Sequence, residues 1–175
     1  MRMHLGMDTN HARKDLAILD AQSEEYLAPA IILVRPYLDK NVGTVARSML
    51  NFGISDLRIV DPQCNHLSDE ARALASGASG VLERAKVCSS VAEAVGDLVA
   101  VYATTARIRG MTHMLLSPRA AAARAAEAAA AAAQSPNAVP QRSGFLFGTP
   151  FSFVHLPLIH SLWYQEILYL YPHTK

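Results

Sequence analysis

Cysteine is scarce in this sequence, charge of either sign barely predominates, and long apolar runs are missing. The two cysteines, Cys64 and Cys88, stand far apart without a metal-ligand spacing. That excludes a disulfide framework and points to reduced thiols, read most simply as small buried hydrophobes, in a cytoplasmic protein. With 16 Lys+Arg against 15 Asp+Glu the formal charge is only +1. No global basic field marks a nucleic-acid partner, so any RNA contact must be local. The apolar stretches near the C-terminus are broken by His155, Pro157, His160, Gln165 and Glu166, which excludes a bilayer-spanning helix there. Met1-Arg2-Met3-His4 and the residues through Asp8, Lys14 and Asp15 lack the apolar core of a secretory signal, so residues 1–28 read as a loose leader. Neither a Walker loop nor a Gly-x-Gly-x-x-Gly turn occurs, which weakens the case for a generic nucleotide-binding α/β protein.

What is present is enough for one folded domain: 175 residues, of which 51% are hydrophobic. Ala30-Ile31-Ile32-Leu33-Val34 is apolar without alternation, the pattern of a strand covered on both faces of a parallel sheet. Asn41 then suits an N-cap, and Val42, Val45, Ala46, Met49 and Leu50 recur along one helical face until Gly53 closes the helix. Leu57-Arg58-Ile59-Val60 reads as a second strand and Ser68 to about Ala75 as a weaker helix. Ser90-Val91-Ala92-Glu93 has the form of a capping box, with Gly96 as its stop. Leu98 to Ala103 is a third strand leading into Thr104-Thr105-Ala106-Arg107. After Ser117-Pro118 the alanine-rich stretch from Arg119 to Ala133 is helical by propensity. Ser135-Pro136-Asn137 and Pro140 mark a loop before a fourth strand, Gly144-Phe145-Leu146-Phe147-Gly148. Strands alternating with helices predict an α/β fold, a mostly parallel sheet with helices on both faces. Ligands then belong beyond the carboxyl ends of the strands, at the turn at Asn41 to Gly43, the turn at Thr104 to Arg107 and the turn after Gly148.

The most specific segment is Asn41-Val42-Gly43-Thr44-Val45-Ala46-Arg47. Gly43 and Arg47 are four residues apart on a helix, and the expectation is that both face away from the apolar stripe. The glycine would let a ligand approach, while the arginine presents a fork of donors suited to phosphate beside a positive helix end. In isolation, an exposed arginine and a merely tolerated glycine fit equally well.

Together with Val34-Arg35-Pro36, Asn51-Phe52-Gly53 and Leu57 through Asp61-Pro62, that segment closely resembles the first motif of the SpoU family of RNA 2′-O-ribose methyltransferases, in the SPOUT superfamily. Ala75-Ser76-Gly77-Ala78, Ala103 through Arg107 and Gly144 through Gly148 are similar to later segments of that family, so the resemblance covers about residues 29 to 148. It implies a SPOUT-type fold with a C-terminal trefoil knot, a homodimer, and S-adenosylmethionine as methyl donor without a metal. It also implies Asn41 and Arg47 at the catalytic centre, with Thr104, Thr105, Ala106 and Gly148 lining the cofactor pocket. Arg107 and Arg109 either extend an RNA track or are solvated surface charges.

The resemblance stops at Gly148. Thr149-Pro150 puts a proline where the family has a glutamate, and the family's later segments, which form the knot and much of the cofactor pocket, do not follow. Residues 151–175 hold half of the chain's aromatics and no Ala, Gly, Arg, Asp or Asn. Hence the expected organisation is a leader over 1–28, a truncated methyltransferase domain over 29–149 with an incomplete knot, and an atypical tail over 150–175. Two readings of the tail stay open: a divergent C-terminus with its own packing role, or translation in a shifted frame. The expected function is 2′-O-methylation of RNA ribose, in the tRNA anticodon loop by family analogy. The partners are tRNA or other structured RNA and a second copy of the chain, with no membrane and no DNA. The rivals are an rRNA methyltransferase and a non-catalytic remnant that keeps the sheet as an RNA-binding or structural module.

Overall fold

A computed structural model describes residues 28–105, 114–133, 142–148 and 167–172. The apolar run Ala30–Val34 is strand β1, and Leu57–Val60, buried at all four positions, is β2. They pair in parallel from Ile31 with Leu57 to Val34 with Val60. Helix α1, Asp39–Asn51, connects them. It is one turn nearer β1 than the sequence suggests: its N-cap is Leu38, and Asn41 lies within the first turn with its amide on the Leu38 carbonyl. Asp39 and Lys40 thus belong to the helix, and no side-chain cap is used.

Helix α2, Asp69–Ala75, starts where predicted, with the Ser68 hydroxyl accepting from the Ala71 amide. Two short elements follow that periodicity did not reveal, helix α3 (Ser79–Glu83) and edge strand β3 (Lys86–Cys88). The capping box forms at helix α4, Val91–Val95: Ser90 Oγ accepts from the Glu93 amide, while the Glu93 carboxylate accepts from the amide and hydroxyl of Ser89. Strand β4 is Ala100–Thr105, β5 is Leu115–Leu116, helix α5 is Pro118–Ala133, and β6 is Ser143–Gly148. Within the atypical tail, Ile167–Pro172 is strand β7. The remaining tail, the leader, the Ala106-to-Arg109 segment, the loop around Ser135 to Pro140 and Thr149-Pro150 lie outside the described residues.

The strands form one sheet in the order β3-β2-β1-β6-β4-β7-β5. The five from β3 to β4 are mutually parallel, and β7 runs antiparallel to both β4 and β5. The expected α/β architecture is therefore present. Ile31, Leu33, Leu57 and Ile59 pack under α1, α2 and α3, while Ala30, Ile32, Val34 and Val60 pack with Ala94 of α4 on the opposite face. By register Ile31, Phe145 and Tyr102 share a face, so α5, seated on Tyr102 through Ala121, joins the α1 side. Tyr102 and Phe145 stack there with centroids 5.1 Å apart. No helix among the described residues is long and apolar enough to cross a membrane.

Candidate functional site

The connection from β1 steps outward to β2, whereas that from β4 steps back to β6 beside β1. Such a reversal opens a crevice beyond the carboxyl ends of the central strands. Val34 pairs with Gly148 at this edge, and two residues past the Ala103–Leu146 pair β4 and β6 both end, at Thr105 and Gly148. The three segments singled out from the sequence thus follow neighbouring strands, although Asn41 to Gly43 belongs to helix α1 and is not a turn. Gly148 has φ of +146°, and a Cβ there would lie 2.2 Å from the Val34 carbonyl oxygen. Glycine is required by both the backbone conformation and the closeness of β1.

The turn out of β1 is held tightly. Arg35 and Asp61, the residues just past the ends of β1 and β2, both adopt left-handed backbone with φ of 51° and 45°. Neither is glycine, and non-glycine residues held this way concentrate at functional sites. The Arg35 amide donates to the Val60 carbonyl, and Arg35 Nε lies 3.2 Å from Asp61 Oδ2. One residue on, the Gln63 amide donates to the Pro36 carbonyl. The Asn65 amide donates to Asp39 Oδ1, which ties the loop after β2 to the first residue of α1. Burial, then the Asp39 carboxylate, pushes the Cys64 thiol in this loop up, so it stays a neutral thiol. Burial lowers the neighbouring His66.

Asn41 and Arg47 both lie on the exposed face of α1, which also carries Lys40, Thr44, Ser48 and Asn51. Thr44 and Ser48 spend their hydroxyls on carbonyls one turn back, Lys40 and Thr44 respectively. Arg47 has no ion-pair or hydrogen-bond partner among the described residues. Gly43 departs from the expectation. It is buried with Val42, Ala46 and Met49, and a Cβ on it would sit 2.2 Å from the Ala71 carbonyl oxygen. What approaches this glycine is helix α2 of the same chain, not a ligand. Gly43 lies at the margin of the apolar arc, where a missing side chain lets two backbones meet.

Of the residues expected at the cofactor pocket, Thr104 is 2% exposed and its hydroxyl donates to the Leu146 carbonyl at 3.4 Å. It joins β4 to β6. Thr105 and Gly148 are the last residues of their strands, and Ala106 lies outside the described residues. The edge offers main-chain groups of Thr105 and Gly148 side by side on adjacent strands, the kind of donor and acceptor set that holds a ligand without side chains.

Sequence reasoning missed a charge cluster at the opposite, amino end of the sheet. Arg58 is 2% exposed, and its guanidinium donates to Asp56, to Asp97 and to the Ala94 carbonyl. Asp56 also pairs with Arg142 at 2.8 Å and meets Lys86 at 3.9 Å. The hydrogen bond from Arg58 outweighs burial and holds Asp97 down at about 2. Burial opposes the ionised form of Asp56, but Arg58, Arg142 and Lys86 together keep it below the ordinary carboxylate range. The hydrogen bond to Asp97, opposed by burial and reinforced by Asp56, raises Arg58. The cluster fastens β2, α4 and the start of β6 and is structural. Asp56 and Arg58 are neighbours, but their further partners are distant in sequence, 39 residues for Arg58 with Asp97 and 86 for Asp56 with Arg142, so no local pattern announces the cluster.

The family described as "SpoU rRNA Methylase family" matches residues 28–121, more than half of the chain. The chain is 42% identical over 88 residues to the uncharacterized tRNA/rRNA methyltransferase LasT of Escherichia coli, covering 50% of this chain and 38% of that protein. It is 42% identical over 76 residues to the tRNA (cytidine-2′-O-)-methyltransferase TrmJ of Methanocaldococcus jannaschii, covering 43% of this chain and 33% of that one. Among solved structures, TrmJ from Z. mobilis superposes with a TM-score of 0.57 at 45% identity, over 69% of this chain and 49% of that chain. A probable methyltransferase from Bordetella pertussis gives 0.60 at 28% identity, over 73% and 72%. The chain spans about a third of the length of the curated relatives it matches.

Proposed function

This chain belongs to the SpoU rRNA Methylase family, and on that premise we propose that it serves S-adenosylmethionine-dependent 2′-O-methylation of an RNA ribose. The observation that carries the proposal is the placement on the exposed face of α1, the helix that leaves the crevice edge of β1, of Asn41 and of Arg47, which has no partner among the described residues. The relatives named as tRNA 2′-O-methyltransferases favour tRNA as substrate. By family analogy the nucleotide lies in the anticodon loop. The working unit is a cytoplasmic homodimer.

When bound, S-adenosylmethionine supplies an electrophilic sulfonium methyl. Thr105 and Gly148, with Ala106, would hold it through main-chain groups, while Thr104 keeps β4 and β6 together beneath it. The cofactor would donate that methyl to the ribose 2′-oxygen, whose proton would pass to solvent water. Such a reaction needs positioning and charge stabilisation above all. Arg47 supplies both by gripping the phosphate beside the target ribose. A guanidinium stays protonated in proteins, so Arg47 acts as a cation and not as the base. Asn41, within the first turn of the same helix, orients the ribose.

The sequence after Gly148 favours a second reading, a remnant that binds RNA without catalysis, because Pro150 stands where the family has a glutamate. One experiment separates the two. Purified chain is titrated with labelled S-adenosylmethionine and incubated with bulk tRNA, and ribose-methylated nucleotides are counted after alkaline digestion. Binding with label in alkali-resistant dinucleotides supports the enzyme; RNA binding without cofactor binding supports the remnant.

A further inference from the structure

We propose that Tyr37 is a stacking platform for an unpaired nucleobase of the RNA bound at this edge, an inference that rests on the proposed function and names how the substrate is read. Tyr37 lies in the turn between β1 and α1 and is 53% exposed, a large ring left open to solvent. Cations flank it in the chain. Arg35, two residues before it, is ion-paired through Nε with exposed Asp61, and exposed Lys40 is three residues after it. Asn41 follows at once. An aromatic ring set between cations is the combination that single-stranded RNA requires: the ring takes the face of an unstacked base and the cations take the phosphates on either side.

The turn is also rigid, and a platform must be. Left-handed Arg35, its amide bond to the Val60 carbonyl, the Gln63 amide on the Pro36 carbonyl, and the Asn41 amide on the Leu38 carbonyl fix the backbone on both sides of Tyr37. No ordering cost then falls on the turn when RNA binds. A protein-docking patch is the weaker reading. The other highly exposed aromatic among the described residues, Phe52 at 81%, is at the far end of α1, roughly 20 Å along a 13-residue helix, so the two rings do not make one apolar surface.

The test uses the full chain and two RNAs of equal length, a hairpin with 2-aminopurine in its loop and a fully paired duplex. Tyr37→Ala should weaken hairpin binding about tenfold and leave the duplex unaffected, since stacking applies only to unpaired bases. Tyr37→Phe should bind like the parent, and Tyr37→Trp should quench the 2-aminopurine signal. The thermal midpoint of Tyr37→Ala should match the parent, which separates lost stacking from lost folding. If Tyr37→Ala binds the hairpin as tightly as the parent while Arg47→Ala binds it less tightly, the platform is overturned and the RNA reading stands. If the parent binds neither RNA, both fall.

Discussion

The carbonyl oxygen of Ala71 stands 2.2 Å from the point a Cβ on Gly43 would occupy, so α1 and α2 meet backbone to backbone. Gly43→Ala cannot be absorbed by a side-chain rotation, because the atom in the way is main chain. Helix α1 has to lift, and it carries Asn41 and Arg47 with it. The expected cost is about 1–3 kcal/mol of stability, the usual penalty of overpacking. Denaturant unfolding should show a lower midpoint at an unchanged slope, and hairpin RNA binding should weaken although no RNA-facing group has been removed. A Gly43→Ala protein with parental stability would mean that the helices are not in contact here.

Arg47→Ala is expected to leave folding and S-adenosylmethionine binding unchanged while lowering methyl transfer by about a hundredfold or more, the scale of losing one charge-stabilising donor. Stability should hold because Arg47 is exposed and has no partner among the described residues. Arg47→Lys should recover only part of the loss, since an ammonium lacks the planar fork. Turnover on tRNA, measured beside calorimetric titration of the cofactor, checks both halves. Equal loss in the two would relocate Arg47 to the cofactor pocket.

Much of the fold was legible because its central strands are covered on both faces and so appear as short, mostly apolar runs, that of β2 interrupted by Arg58. Ala30–Val34, Leu57–Val60 and Ser143–Gly148 all stand within a residue of expectation. The caps at Ser68, Ser90 and Ser117 were legible for a local reason, a hydroxyl three residues before the amide it serves. What escaped was short or non-local. Helix α3 has five residues and β3 three, too few to show a period. Strand β7 finds its partner β4 across more than sixty residues. At the site, the exposed position of Arg47 followed from helical spacing, whereas Asn41, expected as the N-cap, lies within the first turn of the helix. The role of Gly43 did not follow, because a glycine carries no signal of whether ligand or backbone approaches it.

Gly148 and Gly96 should respond oppositely to alanine. At Gly148 a Cβ would meet the Val34 carbonyl at 2.2 Å, and φ of +146° is strained for any L residue. Gly148→Ala should cost about 2 kcal/mol or more, combining strain and clash. Gly96 caps α4 with φ of -62° and ψ of -24°, ordinary helical values, and a Cβ there comes no closer than 3.4 Å to the Ala92 carbonyl. Gly96→Ala should be neutral or add about 0.5 kcal/mol, because it restricts only the unfolded chain. Urea midpoints of the two variants settle the comparison; a stable Gly148→Ala protein would show that the β1–β6 edge opens freely.

The charge cluster around Arg58 predicts how stability falls in acid. Asp56 and Asp97 are both held below the ordinary carboxylate range. A carboxylate depressed in the folded state contributes stability that is complete above its unfolded pKa and is lost as pH falls through the folded value. For Asp97 that window runs from 3.8 down to about 2. The two acids should not count equally. The Asp56 side chain is 12% exposed and also holds Arg142 and Lys86, whereas that of Asp97 is 54% exposed and screened by water. Asp56→Asn therefore leaves a buried guanidinium undercompensated and should cost about 3 kcal/mol near neutral pH. Asp97→Asn should cost about 1 kcal/mol or less, in the range of exposed pairs. Both deficits should shrink as the pH is lowered from about 4 toward 2, because the parent then loses the charges that the variants already lack. Urea unfolding across that range would reveal it: deficits that stay constant with pH would show that the carboxylates act through packing and not through charge.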